Sequence, residues 1–364
     1  MDLYTINTST EQVKEAYAES RIGGRSENQD SYGYTDSPFG FVITVCDGMG
    51  GGPGGKTAST IAVQEILNCI LNANQDDTVP NVLLKAIRQA NLAIIAKTKE
   101  KPELTGMGST CTVLVINERC ATVAYVGDSR VYQFRNSSKV FRTFDHSMVF
   151  ELVKQKVITE EQARLSAQSN VITKALGVSE DVQPDYCELP YLKGDRFLLC
   201  SDGIHGSMPE PELIKLVTNR KPSLGALVDD IATKVDNIGH NSGGYHDNLT
   251  LAVVETKSNS ILKTKMSMKT KVIITILSVL LLASLIGNIY ALKEKQWNPF
   301  RSQETIPVIS DSLQMKEIED LKMQIDDLND KNQTLSKEKD SLSNLLNVSK
   351  SETDSLKSEH HLMK

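Results

Sequence analysis

The stretch FVITVCDGMGG, residues 41–51, joins a run of apolar and β-branched residues directly to Asp47 and a glycine-rich segment. The run reads as a strand, and an apolar strand tends to bury the residue that follows it. A lone buried carboxylate is costly. The pattern nevertheless recurs: RFLLCSDG (196–203) runs into Asp202, ATVAYVGDSR (121–130) runs into Asp128, and DNLTLAVVE (247–255) opens with Asp247. Carboxylates gathered at strand ends repel one another unless cations sit among them, and Mg²⁺ and Mn²⁺ are the hard ions that oxygen ligands suit. Gly48 and Gly203, each directly after an aspartate, are expected to let the backbone turn sharply and to let a carbonyl approach a metal. An Asp-Gly pair alone most often marks an ordinary turn. The argument rests on the set.

Around these strands the periodicity alternates. STCTVLVI (109–116) and ATVAYV (121–126) are separated by only NERC, which suits an antiparallel hairpin, whereas parallel neighbours need a long crossover. Ala62, Ile66, Ile70 and Ala73, then Leu83, Ile87, Ala90 and Ile94, repeat at helical spacing and predict two consecutive helices. The fold class is therefore α+β, with antiparallel sheet and a globular zone over residues 1–257. A polar linker (258–271) follows.

Of the chain's 364 residues, 40% are hydrophobic and 24% charged, a globular rather than a disordered mixture. The net charge of −6 offers no concentrated basic face, so nucleic acid is not an expected partner. No basic and apolar leader opens the chain. Residues 272–292 run 21 positions without a charge, and about 20 residues cross a bilayer. Lys263, Lys265, Lys269 and Lys271 crowd the N-terminal side of this segment. An excess of Lys and Arg marks the cytoplasmic flank, so a single-pass anchor in the cell membrane is expected, with the globular zone cytoplasmic. All six cysteines then lie in the reducing compartment as free thiols. Beyond a further linker (293–312), Ile318, Leu321, Ile325, Leu328, Leu335, Leu342 and Leu346 form a heptad seam. It predicts an extracytoplasmic coiled coil over 313–357 and a homodimer. A single solvated helix is the alternative.

Two divalent ions a few Å apart can clamp a phosphoryl group, and Arg25 is the candidate cation to bind it, because guanidinium grips phosphate bidentately; a plain surface arginine is the alternative. Residues 50–57 fit the expression of a nucleotide phosphate loop, but the proline inside it and Asp47-Gly48 ahead of it favour a metal-site loop. No Ser-His-Asp elbow or thiolate motif competes.

The ordered set Arg25…Asn28-Gln29-Asp30, Asp47-Gly48-Met49-Gly50-Gly51, Gly108-Ser109-Thr110, Gly127-Asp128-Ser129-Arg130, Asp145-His146-Ser147, Thr173-Lys174-Ala175-Leu176-Gly177, Ser201-Asp202-Gly203 and Asp247-Asn248-Leu249-Thr250 resembles the metal-dependent protein phosphatases of the 2C type, in their bacterial form. The resemblance spans roughly residues 15–256. It implies a four-layer α/β/β/α sandwich of two antiparallel sheets flanked by helices. It also implies two Mn²⁺ or Mg²⁺ ions held by Asp47, the Gly48 carbonyl, Asp202 and Asp247. Arg25 would bind the phosphoryl group and Asp30 would orient metal-bound water. A bridging hydroxide would attack phosphoserine or phosphothreonine in line, with phosphorylated proteins as substrates and a Ser/Thr kinase as counterpart. Segment 147–171 would be the flap beside the site.

Some family members place a histidine where Met49 stands. A third ion would use Asp128 and a second aspartate, but that second position is Gly206; His205 is an alternative ligand or a plain loop histidine, and His146 is expected to be structural. A phosphoprotein-binding pseudoenzyme, or an anchor whose working part is the coiled coil, are the rival readings.

Overall fold

The computed structural model describes residues 3–50 and 53–262. The expected membrane segment and coiled coil lie outside the described residues. Among the described residues no helix is long and apolar enough to cross a membrane. In chain order the strands are β1 (Leu3–Thr5), β2 (Val13–Arg21), β3 (Asp30–Ser37), β4 (Gly40–Met49), β5 (Gly108–Ser109), β6 (Cys111–Ile116), β7 (Ala121–Val126), β8 (Arg130–Arg135), β9 (Ser138–Arg142), β10 (Asp185–Leu189), β11 (Arg196–Cys200) and β12 (Leu249–Thr256). The helices are α1 (Pro53–Leu71), α2 (Val79–Glu100), α3 (Met148–Lys154), α4 (Glu160–Arg164), α5 (Asp202–His205), α6 (Glu210–Val217) and α7 (Leu224–Asn241).

Two sheets form, ordered β1-β2-β12-β11-β8-β9 and β10-β7-β6-β4-β3, with β5 pairing the end of β4. Every described pairing is antiparallel, including the β6–β7 hairpin expected from its short connection. Three cores explain why the strands lack a polar face. Phe41, Ile43 and Val45 of β4 meet Phe197, Leu199, Ala252 and Val254 of the other sheet. The alternate residues Val42 and Cys46 turn outward onto Ala62, Ile66 and Ile70 of α1 and Leu83, Ile87 and Ile94 of α2. On the far side Leu198, Leu251 and Val253 pack on Leu227, Val228, Ile231 and Val235 of α7. A strand covered on both faces has no side left for polar residues, so FVITVC is buried from end to end.

The helical face of α7 (Leu224, Leu227, Val228, Ile231, Val235) is periodic in the sequence, yet Gly225, Gly239 and interspersed acids obscure it. Strand β3 reads as polar because it is an edge, and its register is invisible in the sequence. That register matters, since it sets Asp30 opposite Asp47. The six cysteines are all free.

Phe41 has no exposed surface at the centre of the inter-sheet core. Phe41→Ala is expected to cost about 3–5 kcal/mol, as large-to-small changes do in a core that cannot collapse. A denaturation midpoint that barely moves would show that the two sheets do not share this core.

Candidate metal centre

The connections that leave the strands at one end of the sandwich enclose a cleft of about 420 Å³. It is lined by Asp47, Gly48, Asp128, Asp202 and Asp247, with Arg25 at the rim. Each carboxylate arrives by a different route. Asp47 is near the end of β4, Asp128 lies in the link by which the chain passes from β7 to β8, Asp202 opens α5, and Asp247 stands just before β12. Asp30 is fully covered behind them, 1% exposed at the start of β3. The structure thus brings together the site residues expected from sequence, with Asp30 in a deeper layer.

The backbone beneath each acid is pinned. The Asp47 carbonyl accepts from Thr110 N at 2.8 Å and Ser109 Oγ at 3.0 Å, while Asp47 N donates to Thr110 Oγ1 at 3.0 Å. Ser201 Oγ donates to Asp30 Oδ2 at 2.8 Å and accepts from Thr250 N at 3.0 Å, tying β3 to the β11–β12 pair. Asn248 Oδ1 accepts from Gln29 N at 2.8 Å, and its Nδ2 donates to the Ile22 and Glu27 carbonyls at 2.7 and 2.9 Å. That side chain thereby anchors the loop carrying Arg25. In the sequence only their place in the ordered motifs marks Thr110, Ser201 and Asn248. Beside Asp128, Arg130 and Asp145 form a buried bidentate pair at 2.8 and 2.6 Å.

Two expectations about glycine change. Gly48 continues β4 and Gly203 lies within α5, so neither makes a sharp turn. Both are required for space: a Cβ on Gly48 would stand 2.0 Å from the Gly55 carbonyl, and one on Gly203 2.0 Å from the Asn248 carbonyl. The left-handed turn comes later, at Gly50 with φ 125°. His205 is also not a loop residue. It sits buried in α5, where its ring Nε2 hydrogen-bonds the Asp128 carbonyl at 3.0 Å, so its role is to hold that link. Exposed Gly206 receives Arg164 Nη1 on its carbonyl at 3.0 Å. His146, as expected, is structural: it stacks on Tyr125 at 5.1 Å and accepts from Gly127 N at 3.1 Å. Lys56, in the phosphate-loop lookalike, donates to the Asp30 carbonyl at 2.7 Å and Ser31 Oγ at 3.1 Å, which ties α1 to β3.

The electrostatics ask for cations. Burial, with Asp202 and Asp247 adding repulsion, pushes the Asp30 carboxyl up to about 7. Burial and Asp247 push Asp202 up to about 6. Asp47 rises well above the usual range through burial and then its neighbours Asp30 and Asp202, and Asp128 does so through burial, Asp202 and Asp145. Buried Asp202 Oδ1 and Asp30 Oδ1 have no hydrogen-bond partner. Within the cleft, the charge that answers these acids is Arg25, whose Nη2 pairs with Asp247 Oδ2 at 2.8 Å. An all-oxygen donor set with an orphaned buried carboxylate oxygen fits Mg²⁺ or Mn²⁺.

A family profile described as Protein phosphatase 2C matches residues 19–237. The serine/threonine phosphatase stp of Listeria monocytogenes is 33% identical over 239 residues, covering 64% of this chain and 88% of that protein. The crystal structure of serine/threonine phosphatase Stp1 from Staphylococcus aureus aligns with TM-score 0.61 at 27% identity, over 69% of this chain and 97% of the other. The catalytic domain of the phosphatase PstP, crystallised with two manganese ions, aligns with TM-score 0.56 at 27% identity, over 67% and 98% of the two chains.

The raised carboxyls fix the sign of a pH effect. Between the ordinary aspartate value of 3.8 and about 7 the native state binds more protons than the unfolded chain, so the metal-free fold loses stability as pH rises. In chelator the thermal midpoint is expected to fall across that window. Mn²⁺ should restore it by an increment that grows with pH, because ions displace protons from the same oxygens. Asp202→Asn should flatten both trends; an increment independent of pH would contradict this account.

Proposed function

The chain belongs to the protein phosphatase 2C family and is a metal-dependent serine/threonine protein phosphatase, and from that premise we propose that its catalytic centre is the Asp47, Asp202 and Asp247 cleft, held at the cytoplasmic face of the cell membrane. The observation that carries this reading is the convergence of four aspartates in one cleft whose lining, among the described residues, offers a single cation, Arg25, itself paired with Asp247.

Asp47, Asp202, Asp247 and the Gly48 carbonyl would hold two Mn²⁺ or Mg²⁺ ions, and Asp128 is the residue for a third. Bound divalent ions supply Lewis acidity that lowers the pKa of water and offsets charge on the phosphoryl oxygens. The chain's own groups do the rest. The Arg25 guanidinium, 53% exposed at the rim, exchanges Asp247 for phosphoryl oxygens and so seats the phosphoserine or phosphothreonine of a protein substrate. Asp30 keeps one oxygen on Ser201 and leaves Oδ1 free, so it orients water at that atom. Met49 offers no proton to a leaving alkoxide, and Asn170 of the flap, with Ile172 just beyond it, closes one wall of the cleft.

Hydrolysis of protein phosphoesters presupposes a kinase that makes them, hence a Ser/Thr kinase as counterpart. The uncharged run 272–292 with its lysine-rich N-terminal flank supports a bilayer anchor, and the heptads of 313–357 support dimerisation outside the membrane.

The full-length chain with Mn²⁺ should hydrolyse an aryl phosphate and a phosphothreonine peptide, and chelator should abolish both activities. Asp202→Ala is expected to lower kcat by at least about a hundredfold, the upper end of what losing even an outer-shell partner costs. Arg25→Ala should lower kcat/KM by about ten- to a hundredfold, as for loss of a charge-assisted hydrogen bond. No turnover by the manganese-loaded chain would refute the assignment. For the anchor, the full chain should remain with membranes through alkaline extraction while a chain ending at residue 262 is released; a freely soluble full chain would rule the anchor out.

A further inference from the structure

Behind the loop that carries Asp247, three metal-ligating side chains meet. Asp236 and His240 stand one turn apart on α7, and His246 comes from the loop between α7 and β12. Asp236 Oδ1 lies 2.7 Å from His246 Nε2 and 3.7 Å from His240 Nε2. One ligand atom from each of the three falls within 4.8 Å of the others. The two imidazoles meet edge to face, with centroids 5.0 Å apart and planes at 75°.

His246 is built into this position. Its side chain is only 9% exposed, and its ring lies so close on α7 that a Cβ at Gly239 would stand 2.0 Å from His246 Cγ. Its Nδ1 is buried without a hydrogen-bond partner. The nitrogen turned toward Asp236 is the other one, Nε2, which is the atom placed to serve as a ligand. The second Asp236 oxygen lies 3.6 Å from Arg21 Nη1, which orients the carboxylate and leaves Oδ1 toward the two imidazoles. One nine-tenths-buried imidazole, a second exposed imidazole and an oriented carboxylate make a ligand set that the phosphoester cleft does not use.

We propose that Asp236, His240 and His246 form a separate binding site for a borderline divalent transition-metal ion, Zn²⁺ foremost. Two imidazole nitrogens and one carboxylate oxygen suit Zn²⁺ and leave its fourth tetrahedral position to water. The all-oxygen cleft favours Mg²⁺ or Mn²⁺, so the two sites sort ions by ligand softness. Because His246 precedes Asp247 directly, an ion here clamps α7 to the loop that presents that carboxylate.

The test counts metal rather than turnover. The full-length chain in excess Mg²⁺ is dialysed against Zn²⁺, and separately Co²⁺, and bound metal is measured in wild type, His240→Ala and His240→Cys. His240 is 60% exposed, so its replacement spares the fold. Wild type should bind one more Zn²⁺ than His240→Ala, or bind it at least about tenfold more tightly, the least that losing a direct ligand should cost. His240→Cys, which supplies a thiolate, should restore the ion. The same difference should persist in an Asp202→Asn background, where the carboxylate cleft is impaired. Equal zinc content and affinity in wild type and His240→Ala overturns the proposal, as does a difference that vanishes in that background.

Discussion

The constraint on which the rest of the molecule depends is the mutual repulsion of buried acids where the two sheets end. At 4 Å, two unit charges interact by about 4 kcal/mol at the effective dielectric typical near protein surfaces. Burial first, and repulsion from the neighbouring acids after it, raise the carboxyls of Asp30, Asp47, Asp128 and Asp202. A chain free to relax would let these groups drift apart. Here the backbone under Asp47 is bonded to β5 and Thr110, Asp30 is bonded to Ser201, and the loop around Arg25 is bonded to Asn248. The scaffold holds the carboxylates in place, and a bound divalent cation would make the arrangement favourable.

Antiparallel topology is what allows the convergence. Neighbouring strands run in opposite directions, so the end of β4, the start of β3, the end of β11 and the start of β12 fall at the same edge. The β7–β8 link then crosses between sheets at that edge and brings Asp128 with it. Close backbone approach completes the floor: Gly48 against Gly55 and Gly203 against Asn248 leave no room for a side chain.

Helix α7 serves both sides of the site. Its inner face packs on Leu251 and Val253 and so supports the strand that begins after Asp247. Its C-terminal turn carries Asp236, Gly239 and His240, against which His246 rests. The position of Asp247 is therefore set from the sheet through Asn248 and from the helix through His246. Arg25 joins the same group by its pair with Asp247.

Much of this was legible in the chain before any coordinates. Apolar runs ending in aspartate indicate strands that deliver carboxylates to one place, because alternation and burial are local properties of consecutive residues. The β6–β7 hairpin followed from a connection too short for anything else. What the sequence left open depends on contacts between residues far apart in it. The facing of Asp30 and Asp47 is a matter of strand register. The purpose of Gly48 and Gly203 is lack of space against distant carbonyls rather than a turn. The job of His205 is a bond to the Asp128 carbonyl, 77 positions away. The sequence by itself determined which residue types would gather and what ions their oxygens favour, since donor chemistry travels with the side chain. Only the tertiary structure decided how deep each acid lies and which neighbour holds it, because burial and repulsion exist only once the sheets have met.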